Sequence, residues 1–160
     1  MAKSLSTKRV SEMPAAKGTY VLAMQCCHPV ELGAGSLGLV SLKRGWYLYV
    51  GSALGPGGLR ARCGRHLRQD KSRRCHLDYL RNELYPREIW YHQGGGRLEH
   101  DWALALSALE GCAIGHARFG ASDCECPTHL WYFGRRPAFE RFRSLSPRRA
   151  VRLEVPKELE

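Results

Sequence analysis

The chain has 160 residues, the size of a single domain, and its 44% hydrophobic and 25% charged residues are ordinary for a soluble globular protein. No stretch approaches the roughly 18 apolar residues of a membrane span, and the polar N-terminus lacks the apolar segment of a secretory signal. We therefore expect a cytoplasmic protein, and the net charge of +10 favours nucleic acid as its partner over a membrane. A soluble, arginine-rich protein without such a partner would have the same composition.

The first third of the chain predicts an antiparallel sheet of about three strands. Residues 1–16 show no periodicity, and we interpret them as a flexible leader. GTYVLAM, from Gly18, alternates between two faces and predicts a strand, whereas ELGAGS is typical of a turn. LGLVSL and WYLYVGS predict two further strands joined by a tight turn.

The stretch that follows, YVGSALGPGGLRARCGRHLR, combines a strand end, four closely spaced glycines and an arginine-rich helix over residues 59–68. Leu59, Cys63 and Leu67 recur at helical spacing and predict a buried stripe. Arg62 and His66 lie one helical turn apart at a margin of this stripe. Arg60, Arg65 and Arg68 of this helix point towards water. Together with Lys71 they are candidates for binding nucleic acid.

The rest of the chain predicts alternating helices and strands. Residues 76–84 and 99–109 have helical apolar spacing, and REIWYH, CAIGHARF and HLWYFG are candidate strands. We therefore expect a mixed α/β domain over residues 17–134. Residues 135–160 are basic and irregular, and we interpret them as a tail of limited order.

The glycines do not form a known nucleotide-binding loop. A phosphate-binding loop requires a Lys-Ser or Lys-Thr pair after its last glycine, and the dinucleotide fingerprint would need a glycine where Arg60 stands. The glycines can simply permit a tight turn from strand to helix.

Two short motifs are informative together. One strand begins Gly18-Thr19-Tyr20, and a later strand contains Tyr49-Val50-Gly51 before the arginine helix. This order resembles the GIY-YIG nuclease superfamily. The segments GWYLYVGSA, GLRARCGRHLR, HLDYL and FGASDCECPTHLWYF resemble a compact prokaryotic subfamily of unknown function that is sometimes fused to the repair enzyme endonuclease III.

This resemblance implies a small central antiparallel sheet flanked by helices, and metal-dependent hydrolysis of a nucleic-acid phosphodiester, with DNA favoured as substrate and DNA repair as a setting. By position, the residues that match the family's catalytic groups are Tyr20, Tyr49, Arg62, His66 and Glu99. Glu99 matches the ligand for Mg²⁺ or Mn²⁺. Tyr20 matches the general base, and because a tyrosine pKa is near 10, it would need assistance from His66.

Each of these residues also has an ordinary structural interpretation. A strand tyrosine is usually a core aromatic, and a glutamate at a helix start often only complements the helix dipole. Asp101 is a rival metal ligand, and helical geometry favours Glu99 only slightly. The threonine of Gly18-Thr19-Tyr20 departs from the isoleucine of the superfamily motif, and the late asparagine of some relatives has no counterpart.

A second candidate site lies in Asp123-Cys124-Glu125-Cys126-Pro127-Thr128-His129. With seven cysteines and no export signal, reduced thiols or metal ligands are expected rather than disulfides. Cys124, Cys126 and His129 could hold a structural Zn²⁺ with a fourth ligand from Cys75 or His76. His76 and Asp78 could instead line the same cleft as the first site, or cap their helix.

Three functions therefore remain open at the level of sequence. The first is a metal-dependent endonuclease. The second is a non-catalytic nucleic-acid-binding module that uses the same groove, and the third is a zinc or thiol protein centred on Cys124, Cys126 and His129.

Overall fold

The computed structural model of the protein describes residues 10–68, 75–121, 124–146 and 148–156. Within these ranges the chain forms a mixed α+β fold around one antiparallel sheet of six strands, in the order β6-β7-β4-β1-β5-β8. A separate hairpin pairs β2 with β3. The strands are β1 (Gly18–Cys26), β2 (Val30–Gly33), β3 (Leu39–Leu42), β4 (Gly45–Ala53), β5 (Tyr85–Gln93), β6 (Ala113–Ile114), β7 (Leu130–Phe133) and β8 (Val151–Glu154).

The sheet separates two apolar cores because β1 is central and alternates its side chains between the two faces. One face, with Tyr20 and Leu22, packs against Leu59 and Leu77 of the first two helices. The other face packs against the last two helices. The helices are α1 (Gly58–Leu67), α2 (His76–Leu80), α3 (Glu99–Ser107) and α4 (Phe139–Leu145).

The sheet is larger than the expected three strands because short strands extend both of its edges. The expectation of limited order after Gly134 was wrong for the described part of that segment. Phe142 of α4 is fully buried, with its ring centroid 5.0 Å from that of Trp90, and β8 pairs with β5. The many arginines of this segment obscured its apolar pattern. Two of its apolar side chains, Phe142 and Leu153, belong to the two cores.

The described part of the leader, residues 10–16, also packs on the domain. Met13 is fully buried, and the carbonyl oxygens of Pro14 and Ala16 accept hydrogen bonds from the first backbone N–H groups of α1. These N–H groups have no partner within their own helix, and the leader supplies one. The remainder of the expected leader, residues 1–9, lies outside the described residues.

Two smaller expectations also change. Part of ELGAGS is strand β2 rather than turn, because it pairs with β3, and CAIGHARF contributes only the two residues of β6. In the described part of the chain, no helix has both the length and the apolar character that crossing a membrane requires.

Candidate active site

The two motif tyrosines lie on the same face of the sheet. In the register of β1 with β4, Tyr20 is opposite Gly51, and Tyr49 is opposite Leu22. The two tyrosine ring centroids are 6.4 Å apart. Gly51 makes this possible, since a Cβ atom there would lie only 2.6 Å from the hydroxyl oxygen of Tyr20. The glycine of the second motif therefore creates space for the tyrosine of the first.

The glycine-rich turn brings α1 back across this face. Gly57 and Gly58 have φ values of 82° and 57°, in the region that side chains disfavour. A Cβ atom on Gly58 would lie 2.2 Å from the carbonyl oxygen of Ala16. The turn thus depends on glycine for backbone geometry and close packing, and it positions Arg62 and His66 over the tyrosines.

His66 is completely buried between the tyrosines. Its Nε2 atom forms a 2.8 Å hydrogen bond with the hydroxyl of Tyr20, and its ring centroid is 6.1 Å from that of Tyr49. Behind it, the buried guanidinium of Arg81 donates hydrogen bonds to the carbonyl oxygens of His66 (2.6 Å) and Leu67 (3.2 Å) at the end of α1. Arg81 therefore fixes the last turn of α1, which carries His66. The only sequence feature that could have indicated this role is that Arg81 is an arginine in an otherwise leucine-rich segment.

Arg62 is an exposed residue of α1, and its positive charge acts on the nearby hydroxyl of Tyr20. Burial raises the pKa of Tyr20 well above its ordinary value, the nearby Tyr49 adds to the rise, and Arg62 opposes it. Burial likewise raises the pKa of Tyr49 to about 12. Both phenols are therefore protonated at neutral pH, so Tyr20 cannot act as a base without passing its proton to a neighbour.

Glu99 approaches from the other side of the sheet, in the first turn of α3. One carboxylate oxygen accepts a hydrogen bond from the hydroxyl of Ser52, and the other lies 4.0 Å from Nδ1 of His129. The negative charge of Glu99 contributes to the raised pKa of Tyr49, which places it within electrostatic reach of the tyrosine site. Asp101, the rival ligand, is exposed. Ser52 was not anticipated, although it follows directly after the second motif.

The basic residues expected to bind nucleic acid differ from one another in their contacts and exposure. Arg65 makes a bidentate pair with the buried carboxylate of Asp78, with N–O distances of 2.8 and 3.2 Å, so the expectation that it points into water was wrong. Arg60 remains exposed while its Nε donates to the carbonyl oxygen of Met13. Arg68 is exposed at the end of α1, and Lys71 lies outside the described residues.

The second candidate site divides into two groups. Asp78 caps α2 by accepting a hydrogen bond from the backbone N–H of Cys75, and Nε2 of His76 lies 3.0 Å from Oγ of Ser36. Both belong to the side of the sheet that carries α1.

Cys124, Cys126 and His129 meet on the opposite side. The residue that joins them there is His100 of α3, not Cys75 or His76. In the sequence, the only feature that pointed to His100 was its position next to Glu99. Burial raises the pKa of the Cys126 thiol to about 11, and the neighbouring Cys124 contributes to that rise.

Comparison with known proteins identifies a family whose description names no activity. Residues 19–150 match the model of a family described as a domain of unknown function, DUF123. No curated protein and no solved structure matches the chain.

Proposed function

The chain belongs to the DUF123 family, and we propose that it is a metal-dependent endonuclease of GIY-YIG type that hydrolyses phosphodiester bonds, most readily those of DNA. The observation that carries this proposal is the buried hydrogen bond between Tyr20 and His66 close to the exposed residue Arg62. Such an arrangement combines groups that move a proton with a group that binds a phosphoryl oxygen. The order of motifs that resembles the GIY-YIG nucleases supports the same reaction.

Arg62 supplies the phosphate contact. Its guanidinium can direct two N–H donors at the non-bridging oxygens of a phosphodiester, which a lysine cannot do in the same geometry. Because the side chain is exposed at the rim, a nucleic-acid backbone can reach it without rearrangement of the core.

Tyr20 and His66 handle the proton of the attacking water. The raised pKa of Tyr20 makes a stable tyrosinate unfavourable, so the hydroxyl receives a proton from water only as it passes its own to Nε2 of His66. Tyr49, which is only partly buried, orients water or phosphate as a hydrogen-bond donor. The pair therefore acts as the base, and because both side chains are fully buried, water has to reach the Tyr20 hydroxyl through a local opening when substrate binds.

Glu99 is the candidate ligand for Mg²⁺ or Mn²⁺. Its carboxylate is held by Ser52 and is partly open to solvent, which suits an ion that keeps several waters and takes one or two protein carboxylates. When bound there, the cation would stabilise negative charge on the leaving 3′ oxygen.

The test is cleavage of labelled single-stranded, duplex and branched DNA, and of RNA, in Mg²⁺ or Mn²⁺. We expect Arg62→Ala and Glu99→Gln to abolish cleavage while largely preserving binding, and Asp101→Asn, on the same helical turn, to remain active. Equal cleavage by the parent and both site variants would overturn the proposal.

A non-catalytic nucleic-acid-binding module is the competing outcome. It predicts salt-sensitive binding by Arg62, Arg60 and Arg68 with no product from any substrate in either metal. That result would also overturn the nuclease proposal.

A further inference from the structure

Four metal-ligating side chains converge on the face of the sheet that carries α3. His100 comes from the first turn of α3, and Cys124, Cys126 and His129 come from the loop before β7. Their ligand atoms all lie within 4.8 Å of one another. Sγ of Cys124 is 3.3 Å from Nε2 of His129, and Sγ of Cys126 is 3.3 Å from Nδ1 of His100.

We propose that these four residues form a structural Zn²⁺ site of the Cys₂His₂ class. Zinc–sulfur and zinc–nitrogen bond lengths place the ligand atoms of a tetrahedral site about 3.3–3.8 Å apart, close to the two observed separations. The four side chains supply the full set of ligands and leave no open position for a reacting water, which is typical of a structural site.

The second nitrogen of His129 supports this assignment. Nε2 faces Cys124, whereas Nδ1 is buried without a hydrogen-bond partner among the described residues and lies 4.0 Å from Oε2 of Glu99. A metal-bound histidine usually directs its other N–H at a carboxylate or carbonyl oxygen. Zinc on Nε2 would keep the proton on Nδ1, and the buried nitrogen would then donate towards Glu99.

Arg118 holds the backbone at Cys124 and Cys126. Arg118 donates 2.7 Å hydrogen bonds from one guanidinium nitrogen to the carbonyl oxygens of both Cys124 and Cys126. Its own φ of 61° lies in the left-handed region, an uncommon conformation for a side-chain-bearing residue. These hydrogen bonds hold the backbone carbonyl groups of the two cysteine residues on one guanidinium nitrogen.

The site goes beyond the proposed nuclease function and does not depend on it. Its ligands join the loop before β7 to the first turn of α3, so the ion would act as a cross-link between these two elements. Glu99 follows from this geometry as the carboxylate that orients His129, in addition to any role in binding a second cation.

The experiment is metal analysis of the full-length protein purified without chelator. We expect one zinc per chain by elemental analysis, and tetrahedral d–d bands with sulfur-to-metal charge transfer when Co²⁺ replaces zinc. Cys124→Ser, Cys126→Ser and His100→Asn should lower metal content at least tenfold. Cys75→Ser and Cys112→Ser, which change thiols outside the cluster, should leave it unchanged.

A gain-of-signal variant keeps the test decisive if a ligand deletion does not fold. His100→Cys would add a third thiolate, so the Co²⁺ charge-transfer band should grow in intensity relative to the parent. The proposal is wrong if the parent protein purifies without zinc and takes up neither Zn²⁺ nor Co²⁺. It is also wrong if Cys75→Ser, rather than His100→Asn, removes the metal. None of these readouts depends on nuclease activity.

Discussion

Nε2 of His66 lies 2.8 Å from the hydroxyl of Tyr20, a residue 46 positions earlier in the chain, and both side chains are fully buried. Tyr20→Phe removes this hydrogen bond and keeps the ring. We expect single-turnover DNA cleavage to fall about 100-fold to 10,000-fold, the usual contribution of a positioned proton-transfer group. Stability should fall by only about 1 kcal/mol, as for a typical hydrogen bond.

The matched control for Tyr20→Phe is Tyr47→Phe. The Tyr47 hydroxyl is also buried in the sheet, where it accepts a 2.8 Å hydrogen bond from the backbone N–H of Lys43. Its removal should cost similar stability and leave the cleavage rate unchanged. Equal losses of rate in the two variants would assign Tyr20 to packing alone.

Gly51→Ala should damage the site through sterics. The new Cβ would lie 2.6 Å from the hydroxyl oxygen of Tyr20, so the tyrosine would have to leave its position beside His66. We expect a loss of cleavage and a lower melting temperature. Gly55→Ala provides the control, because no heavy atom lies within 4 Å of a Cβ there, and it should leave both quantities unchanged.

Substitutions of Arg65 and Arg68 should have different effects: Arg65→Ala should mainly lower stability, and Arg68→Ala should mainly weaken nucleic-acid binding. Arg65→Ala leaves the buried carboxylate of Asp78 without its bidentate partner, and we expect a loss of about 3 kcal/mol in denaturant unfolding. Arg68→Ala, at an exposed position, should change stability by less than about 0.5 kcal/mol but weaken DNA binding and reduce its salt dependence. The reverse pattern would contradict both assignments.

Arg81→Met should destabilise the domain more than a surface arginine substitution. It removes a buried guanidinium that donates to the carbonyl oxygens of His66, Leu67 and Leu84. We expect about 3 kcal/mol less stability by denaturant unfolding, since hydrogen bonds to charged groups contribute more than neutral ones. Arg148→Met, at an exposed position, should be neutral.

Alkaline pH should destabilise the protein through its buried phenols and thiol. The folded pKa of Tyr49 is raised to about 12 from an ordinary value near 10, so above pH 10 the unfolded chain loses a proton that the folded chain retains. The contribution of Tyr49 to stability is therefore fully present below pH 10 and declines towards pH 12. Cys63, also raised to about 12, acts in the same direction from about pH 9.

Denaturant unfolding between pH 8 and pH 11 measures this decline. Tyr49→Phe should reduce the slope of unfolding free energy against pH above pH 10. Cys63→Ala should reduce the slope from about pH 9. A curve with unchanged slope in both variants would show that other groups control alkaline unfolding.

The sequence predicted the central elements because their apolar periodicity is strong. The stripe of Leu59, Cys63 and Leu67 gave α1, and the alternation from Gly18 gave β1. It missed β8 and α4, since each buries few apolar side chains among many arginines. A short strand such as β8 forms only because β5 offers an unpaired edge, and that edge cannot be read from local residues.

For the site, sequence spacing placed Arg62 and His66 on one side of a helix but did not predict that Arg62 is exposed and His66 buried. Contacts between residues distant in the chain could not be predicted from sequence spacing. Ser52 meets Glu99, and His100 meets Cys126, only because α3 crosses the sheet beside the loop before β7.

The ion pairs of buried Glu88 and the burial of Arg81 limit how far the net charge of the chain predicts its attraction to a polyanionic partner. Glu88 is almost fully buried between Arg136 and Arg152, and Arg81 carries a counted positive charge that is 2% exposed. The number of counterions released from DNA on binding depends on the guanidinium groups that reach phosphates, not on the formal total. A shallow dependence of affinity on salt is therefore compatible with a chain of net charge +10.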